Sequence, residues 1–130
     1  MNYLLDTHIV LWFLLDDKKL SENVKQKIIN SNNNKFISIA STWELAIKIN
    51  LGKINFDGGI SVFFEEINKI GFELLPISPE YITRLENLPL HHRDPFDRLI
   101  ISTAIEENMV LITADSNMGL YDVSCLKMDE

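Results

Sequence analysis

Along this chain, short apolar runs alternate with stretches whose apolar residues recur every three or four positions. The short runs predict strands at residues 3–5, 36–39, 72–76, 110–113 and 123–126, and the periodic stretches predict helices at 9–15, 21–30, 42–51, 61–70, 79–88 and 95–108. Val24 and Ile28 share one face of the second helix. Helical spacing also groups Trp43, Ala46, Ile47 and Leu51 in the third helix and Phe63, Ile67 and Ile70 in the fourth, so both sets are expected in the core. Gly52 and Gly71 lie just past helix ends. Ser78-Pro79 and Asp94-Pro95 each put a capping side chain before a proline suited to the first helical position. Strands alternating with helices predict an α/β fold, a parallel sheet covered by helices on both faces.

Composition narrows the setting. At 130 residues and 46% hydrophobic content the chain is expected to form one domain over residues 1–130 with a real core. It has no repeat, low-complexity tract or Pro/Gly/Ser-rich linker, and the polar residues 31–34 read as a simple connection. The lone Cys125 excludes an intrachain disulfide and leaves a thiolate metal site without partners. With no basic leader and no apolar run of membrane-spanning length, the expected setting is the reducing cytoplasm, away from membranes. Twelve basic against nineteen acidic residues give a formal charge of -7, which argues against broad attraction to nucleic acid but leaves room for a local cationic patch.

The expected topology gathers the acids. In an open parallel sheet, ligands bind where the carboxyl ends of the strands and the loops after them converge. Asp6 directly follows the first strand, Glu44 falls in the first expected turn after the strand at 36–39, and Asp115 lies two residues past the strand at 110–113. The helix at 95–108 leads into that strand, so its N-terminus, with Asp97 in the first turn, begins at the same edge. Two carboxylates about 4 Å apart repel by roughly 4 kcal/mol at an effective dielectric near 20, so such a group must take up protons or cations. An all-oxygen set suits Mg²⁺ or Mn²⁺. Such ions activate water and stabilise the leaving oxygen in phosphodiester cleavage, so the residues point to a metal-dependent nuclease centre.

Each acid also has a structural reading. Ser41-Thr42-Trp43-Glu44 fits an S-x-x-E capping box, and Asp115 could organise an Asx turn. Asp6 has little structural reason to end a buried strand. Asp94, before Pro95, reads as a helix cap, and His91 and His92 read as solvated loop residues.

Together, Leu4-Leu5-Asp6-Thr7-His8, Ser41-Thr42-Trp43-Glu44, Asp94-Pro95-Phe96-Asp97-Arg98 and Leu111-Ile112-Thr113-Ala114-Asp115 resemble a PIN-domain ribonuclease of the toxin type found in VapBC toxin-antitoxin pairs. The resemblance covers nearly the whole chain. It implies a PIN-like three-layer α/β/α sandwich around a parallel sheet of about five strands, and Mg²⁺- or Mn²⁺-dependent cleavage of RNA. It also implies a homodimer and a cognate antitoxin protein as partner. Carried over, Asp6, Glu44, Asp97 and Asp115 match the acidic quartet, Thr7 the hydroxyl residue after the first acid, and Thr113 a support for the last. Asp6 and Asp97 would make the main metal contacts, with Glu44 as ligand or orienter of water. Lys48, one turn beyond Glu44, and Arg98 could reach backbone phosphates, or could only balance neighbouring acids.

Two rivals belong to other classes. A phosphorylation receiver domain would end a late strand with a lysine, which Val110-Leu111-Ile112-Thr113-Ala114 does not offer. A PIN-like module that binds without cleaving differs only in turnover.

Overall fold

Tyr3, Leu4 and Leu5 are all buried because their strand lies in the middle of a sheet with both faces covered. The computed structural model describes residues 1–121 and 123–127. In chain order the elements are β1 (Asn2–Leu5), α1 (Thr7–Leu14), α2 (Glu22–Ile29), β2 (Asn34–Ser38), α3 (Ile39–Asn50) and α4 (Gly59–Ile70), followed by β3 (Glu73–Leu75), α5 (Pro79–Glu86), α6 (Pro95–Glu107), β4 (Val110–Thr113), a 3-10 turn (Ser116–Leu120) and β5 (Cys125–Lys127). All five strands and six helices expected from the pattern form, with ends shifted by up to three residues, the most at the start of α3. The sheet is wholly parallel in the order β3-β2-β1-β4-β5. In register, Leu4 pairs with Phe36 on one side and Leu111 on the other.

Side chains leave each strand alternately, and this divides the core into two layers. Tyr3, Leu5, Ile37 and Ile112 pack on the face covered by Ile9, Val24, Leu45, Phe63 and Ile67. Leu4 and Leu111 pack on the other, against Ile100, Ile101 and Ala104 of α6. The result is the expected three-layer α/β/α sandwich. Among the described residues no helix is long and apolar enough to cross a membrane.

The helix ends follow their capping chemistry. The Ser21 hydroxyl accepts from the Val24 N–H, and Gly71 closes α4 at φ +96°, a left-handed conformation that favours glycine. Helix α3 departs from expectation. It starts at Ile39, capped by the Ser38 hydroxyl on the Ala40 N–H, not at Thr42. Its inward face then carries Ala40, Ser41, Glu44 and Leu45, while Trp43 is 59% and Leu51 61% exposed, with Ile47 also exposed and Ala46 half-buried. The expected core role holds for Phe63 and Ile67, and Ile70 is half-buried. For Trp43, Ile47 and Leu51 it is corrected, because the inward stripe of α3 is partly polar and apolar spacing selected the opposite side.

This rotation makes a simple test. Leu45→Ala should cost about 2–5 kcal/mol by cavity formation, whereas Leu51→Ala should cost within about 0.5 kcal/mol. Urea unfolding midpoints would measure both, and equal losses would restore the other face to the core.

Candidate metal centre

The strand order reverses between β1 and β4, since β2 and β3 extend one way from β1 and β4 and β5 the other. A cleft of about 300 Å³ opens at the carboxyl ends there, lined by the carboxylates of Asp6, Glu44, Asp94, Asp97 and Asp115 together with His8, Trp12 and Lys48. A larger groove, about 750 Å³, lies by α5 and α6, but its Arg84 and Glu106 pair with each other at 2.7 Å, and among the described residues no group of three acids converges in it.

Asp6 follows β1 and is tied to the neighbouring strand by its N–H on the Ile112 carbonyl at 3.0 Å. It occupies the cap position of α1, yet its side chain accepts no capping hydrogen bond. Instead Oδ2 accepts from the Thr113 hydroxyl at 2.8 Å, and the Asp115 N–H donates to that same hydroxyl oxygen at 3.0 Å. Thr113 thus links the first acid to the last. Asp6 is only 5% exposed, and burial raises its pKa despite the Thr113 hydrogen bond.

Glu44 is 7% exposed, in the second turn of α3. Because Ser41 lies inside the helix, the expected capping box does not form, and the Ser41 hydroxyl has no hydrogen-bond partner among the described residues. Glu44 is held by the Thr7 hydroxyl at 3.2 Å and by Lys48 Nζ at 3.4 Å.

Asp94 does cap α6, but with one oxygen. Oδ1 accepts from the N–H groups of Phe96 at 2.9 Å and Asp97 at 3.1 Å, which leaves Oδ2 for the cleft. Asp97, one turn on, has no such structural work. Burial first, then the charges of Asp6, Asp94 and Glu44, push its pKa up to about 7. Asp115 forms the anticipated Asx turn through Oδ1 on the Asn117 N–H at 2.9 Å, while Oδ2 meets His92 Nε2 at 2.8 Å.

One sequence expectation is corrected at this edge. His92 is not a solvated loop residue: Nε2 also lies 3.1 Å from Asp97 Oδ2, so the ring bridges two acids. Burial opposes its protonation, but the hydrogen bond to Asp115 and the charges of Asp97, Asp115 and Asp94 outweigh burial and raise its pKa. His91 stays exposed against Tyr121. The Arg98 guanidinium donates to the carbonyls of Leu88, Pro89 and His92 and to the Tyr121 hydroxyl. Lys48 remains in the cleft. Sequence reasoning missed Asp94 as a cleft carboxylate, and the spacing of Asp94 and Asp97 by one helical turn was the available signal.

The donor set fits a hard divalent cation. Ligand atoms of Glu44, Asp94 and Asp97 lie within 4.8 Å of one another, as do those of His92, Asp97 and Asp115. Asp97 belongs to both groups. Carboxylate oxygens close together, partly buried and short of cationic partners suit Mg²⁺ or Mn²⁺, with remaining positions open to water or phosphate.

The family model described as "PIN domain" matches residues 3–124. No curated protein sequence matches the chain. Similar solved structures include a VapBC2 complex from Rickettsia felis bound to a fragment of its promoter DNA (19% identity, 98% of each chain covered, TM-score 0.75). Others are VapBC-1 from nontypeable Haemophilus influenzae (22% identity, 100% of each chain, TM-score 0.68) and VapBC-5 from Mycobacterium tuberculosis (17% identity, 97% of this chain and 98% of that one, TM-score 0.66).

Asp97 sets a pH dependence. Its unfolded carboxyl titrates near the ordinary 3.8 and its folded one near about 7, so the folded state holds an extra proton between these values and stability falls as pH rises through that window. In chelator-treated protein near pH 8, Asp97→Asn should therefore melt about 3–8 °C above wild type, with the gap closing toward pH 4. Thermal denaturation would show it. A variant that melts lower near pH 8 would make Asp97 a structural residue.

Proposed function

This chain belongs to the PIN-domain family, and on that footing we propose that it is an endoribonuclease dependent on Mg²⁺ or Mn²⁺, and the toxin of a toxin-antitoxin pair. The observation that carries this reading is Asp97, a carboxylate with no capping work and a pKa raised by burial and three neighbouring acids. Asp6, Glu44, Asp97 and Asp115 are the residues we assign to the metal: ligand atoms of Glu44, Asp94 and Asp97 converge in one group, Asp115 joins Asp97 in another, and Asp6 lines the same cleft without belonging to either group. When bound, the ion lowers the pKa of water and neutralises charge on the phosphodiester, so no side-chain nucleophile is required.

The chain's own residues supply orientation. Thr113 fixes the Asp6 carboxylate, Thr7 and Lys48 fix Glu44, and the short turn after β4 fixes Asp115. Lys48, beside the acids, is the cation we assign to the RNA backbone; its pairing with Glu44 is the competing role. The VapBC complexes among the similar structures support a cognate antitoxin as partner, and the family resemblance supports a homodimer acting in the cytoplasm. A receiver domain finds no support, since Ala114 follows β4 where a lysine is needed. A binding module without turnover differs in one measurable respect, cleavage.

Purified chain incubated with mixed structured RNAs should therefore cut them with Mg²⁺ or Mn²⁺ and not with chelator, and Asp6→Asn should lower the rate by at least about 100-fold. Chelator-resistant cutting, or an active Asp6→Asn, would refute the metal assignment. No cutting of any RNA by the wild type would favour the binding module.

In cells, the chain expressed alone should arrest growth, and Asp115→Asn at equal levels should largely relieve the arrest. Undiminished toxicity would place the effect outside the acidic cleft.

A further inference from the structure

Asp97 and Asp115 stand on separate elements, the start of α6 and the turn after β4. Among the described residues one side chain touches both carboxylates. We infer that His92 is a positioning residue of the metal centre, whose Nε2–H holds the carboxylates of Asp97 and Asp115 together so that they meet the cation as a preformed pair. This rests on the metal-dependent reading of the cleft.

The ring has little freedom to do anything else. The Asp94 N–H donates to His92 Nδ1 at 3.1 Å, which requires a bare lone pair there and so puts the ring proton of the neutral imidazole on Nε2. Nε2 lies 2.8 Å from Asp115 Oδ2, to which its proton donates, and 3.1 Å from Asp97 Oδ2, where the N–H dipole faces the second carboxylate; a nitrogen that carries this proton is not a metal ligand. The backbone is held as well. The His92 N–H donates to the Tyr121 hydroxyl at 2.7 Å, and the His92 carbonyl accepts from Arg98 at 3.1 Å.

This assigns work to residues that the chemistry of cleavage leaves unused. Arg98 gathers the carbonyls of Leu88, Pro89 and His92, Tyr121 receives the N–H groups of His91 and His92, and Arg98 also donates to Tyr121. Together they form a clamp behind the loop that carries His92. A donor fixed in this way orients the ligand carboxylates before the ion arrives, and loss of such a partner typically weakens metal binding by roughly 10- to 100-fold.

The test is Mn²⁺ binding by the full chain, followed through the electron paramagnetic resonance signal of the free ion. His92→Leu removes the donor. His92→Gln places an amide N–H near the Nε2 position, and His92→Asn keeps a polar side chain too short to reach both acids. The Leu and Asn variants should bind Mn²⁺ roughly 10- to 100-fold more weakly, and the Gln variant within about threefold of wild type. The Asn variant keeps the comparison open if Leu fails to fold. Pulsed spectra of the wild-type complex should show no nitrogen bonded directly to manganese. Equal affinity in all three variants would overturn the role, as would a directly bonded nitrogen that disappears in His92→Leu. A wild type that binds no Mn²⁺ would instead overturn the metal reading, and this role with it.

Discussion

Repulsion between carboxylates crowded at one sheet edge is the constraint on which the rest of this structure turns. A parallel sheet delivers every strand's carboxyl end to the same side, and at its switch point Asp6 and Asp115 emerge from adjacent strands. Helices α3 and α6 then bring Glu44 and Asp97 to the same cleft. Unit charges about 4 Å apart in such surroundings repel by roughly 4 kcal/mol, a sizeable share of what holds a small domain together. The surrounding polar network answers part of that repulsion: Thr113 donates to Asp6, Thr7 to Glu44 and His92 to Asp115, while Lys48 Nζ lies 3.4 Å from Glu44 and His92 Nε2 3.1 Å from Asp97. Asp97 is the remainder. Burial and the charges of Asp6, Asp94 and Glu44 push its pKa up to about 7, and a cation beside it would relieve the whole cluster.

The strands were readable because both faces of the sheet are covered, so apolar runs such as Tyr3-Leu4-Leu5 and Val110-Leu111-Ile112 carry no competing signal. The shared edge of the four acids was readable for a related reason: topology assigns Asp6 and Asp115, just after buried strands, to the carboxyl edge, and the starts of the neighbouring helices α3 and α6 bring Glu44 and Asp97 toward it, without knowledge of side-chain contacts. Helix α3 was harder. Ile39 continues the apolar run of β2, so nothing before folding shows that Ser38 ends the strand and caps the helix. Its inward stripe passes beside the cleft and is polar at Ser41 and Glu44, so apolar spacing chose Trp43, Ile47 and Leu51, which face outward. The exposed Trp43 ring instead meets Phe96 of α6 edge-on at 5.1 Å.

His92 was misread because its hydrogen-bond partner Asp115 is distant in sequence. Asp115 lies 23 residues from His92, and local spacing carries no sign of that contact. Arg98 adjoins Asp97, and adjacency suggested a shared target. A helix turns successive side chains about 100° apart, so Arg98 points to the loop carbonyls while Asp97 points to the cleft. The two aspartates of Asp94-Pro95-Phe96-Asp97 divide their work in the same way. The first spends one oxygen on the helix start, and the second does no capping and faces the cleft beside His92.

Whether the cleft is a cation site is tested most directly by manganese anomalous scattering from crystals of the wild-type chain grown or soaked with Mn²⁺. The account predicts an anomalous peak in the cleft, roughly 2.0–2.3 Å from carboxylate oxygens that include those of Asp97 and Asp6. Bound manganese elsewhere on the molecule, with the acids of the cleft still paired only to protein groups, would contradict it.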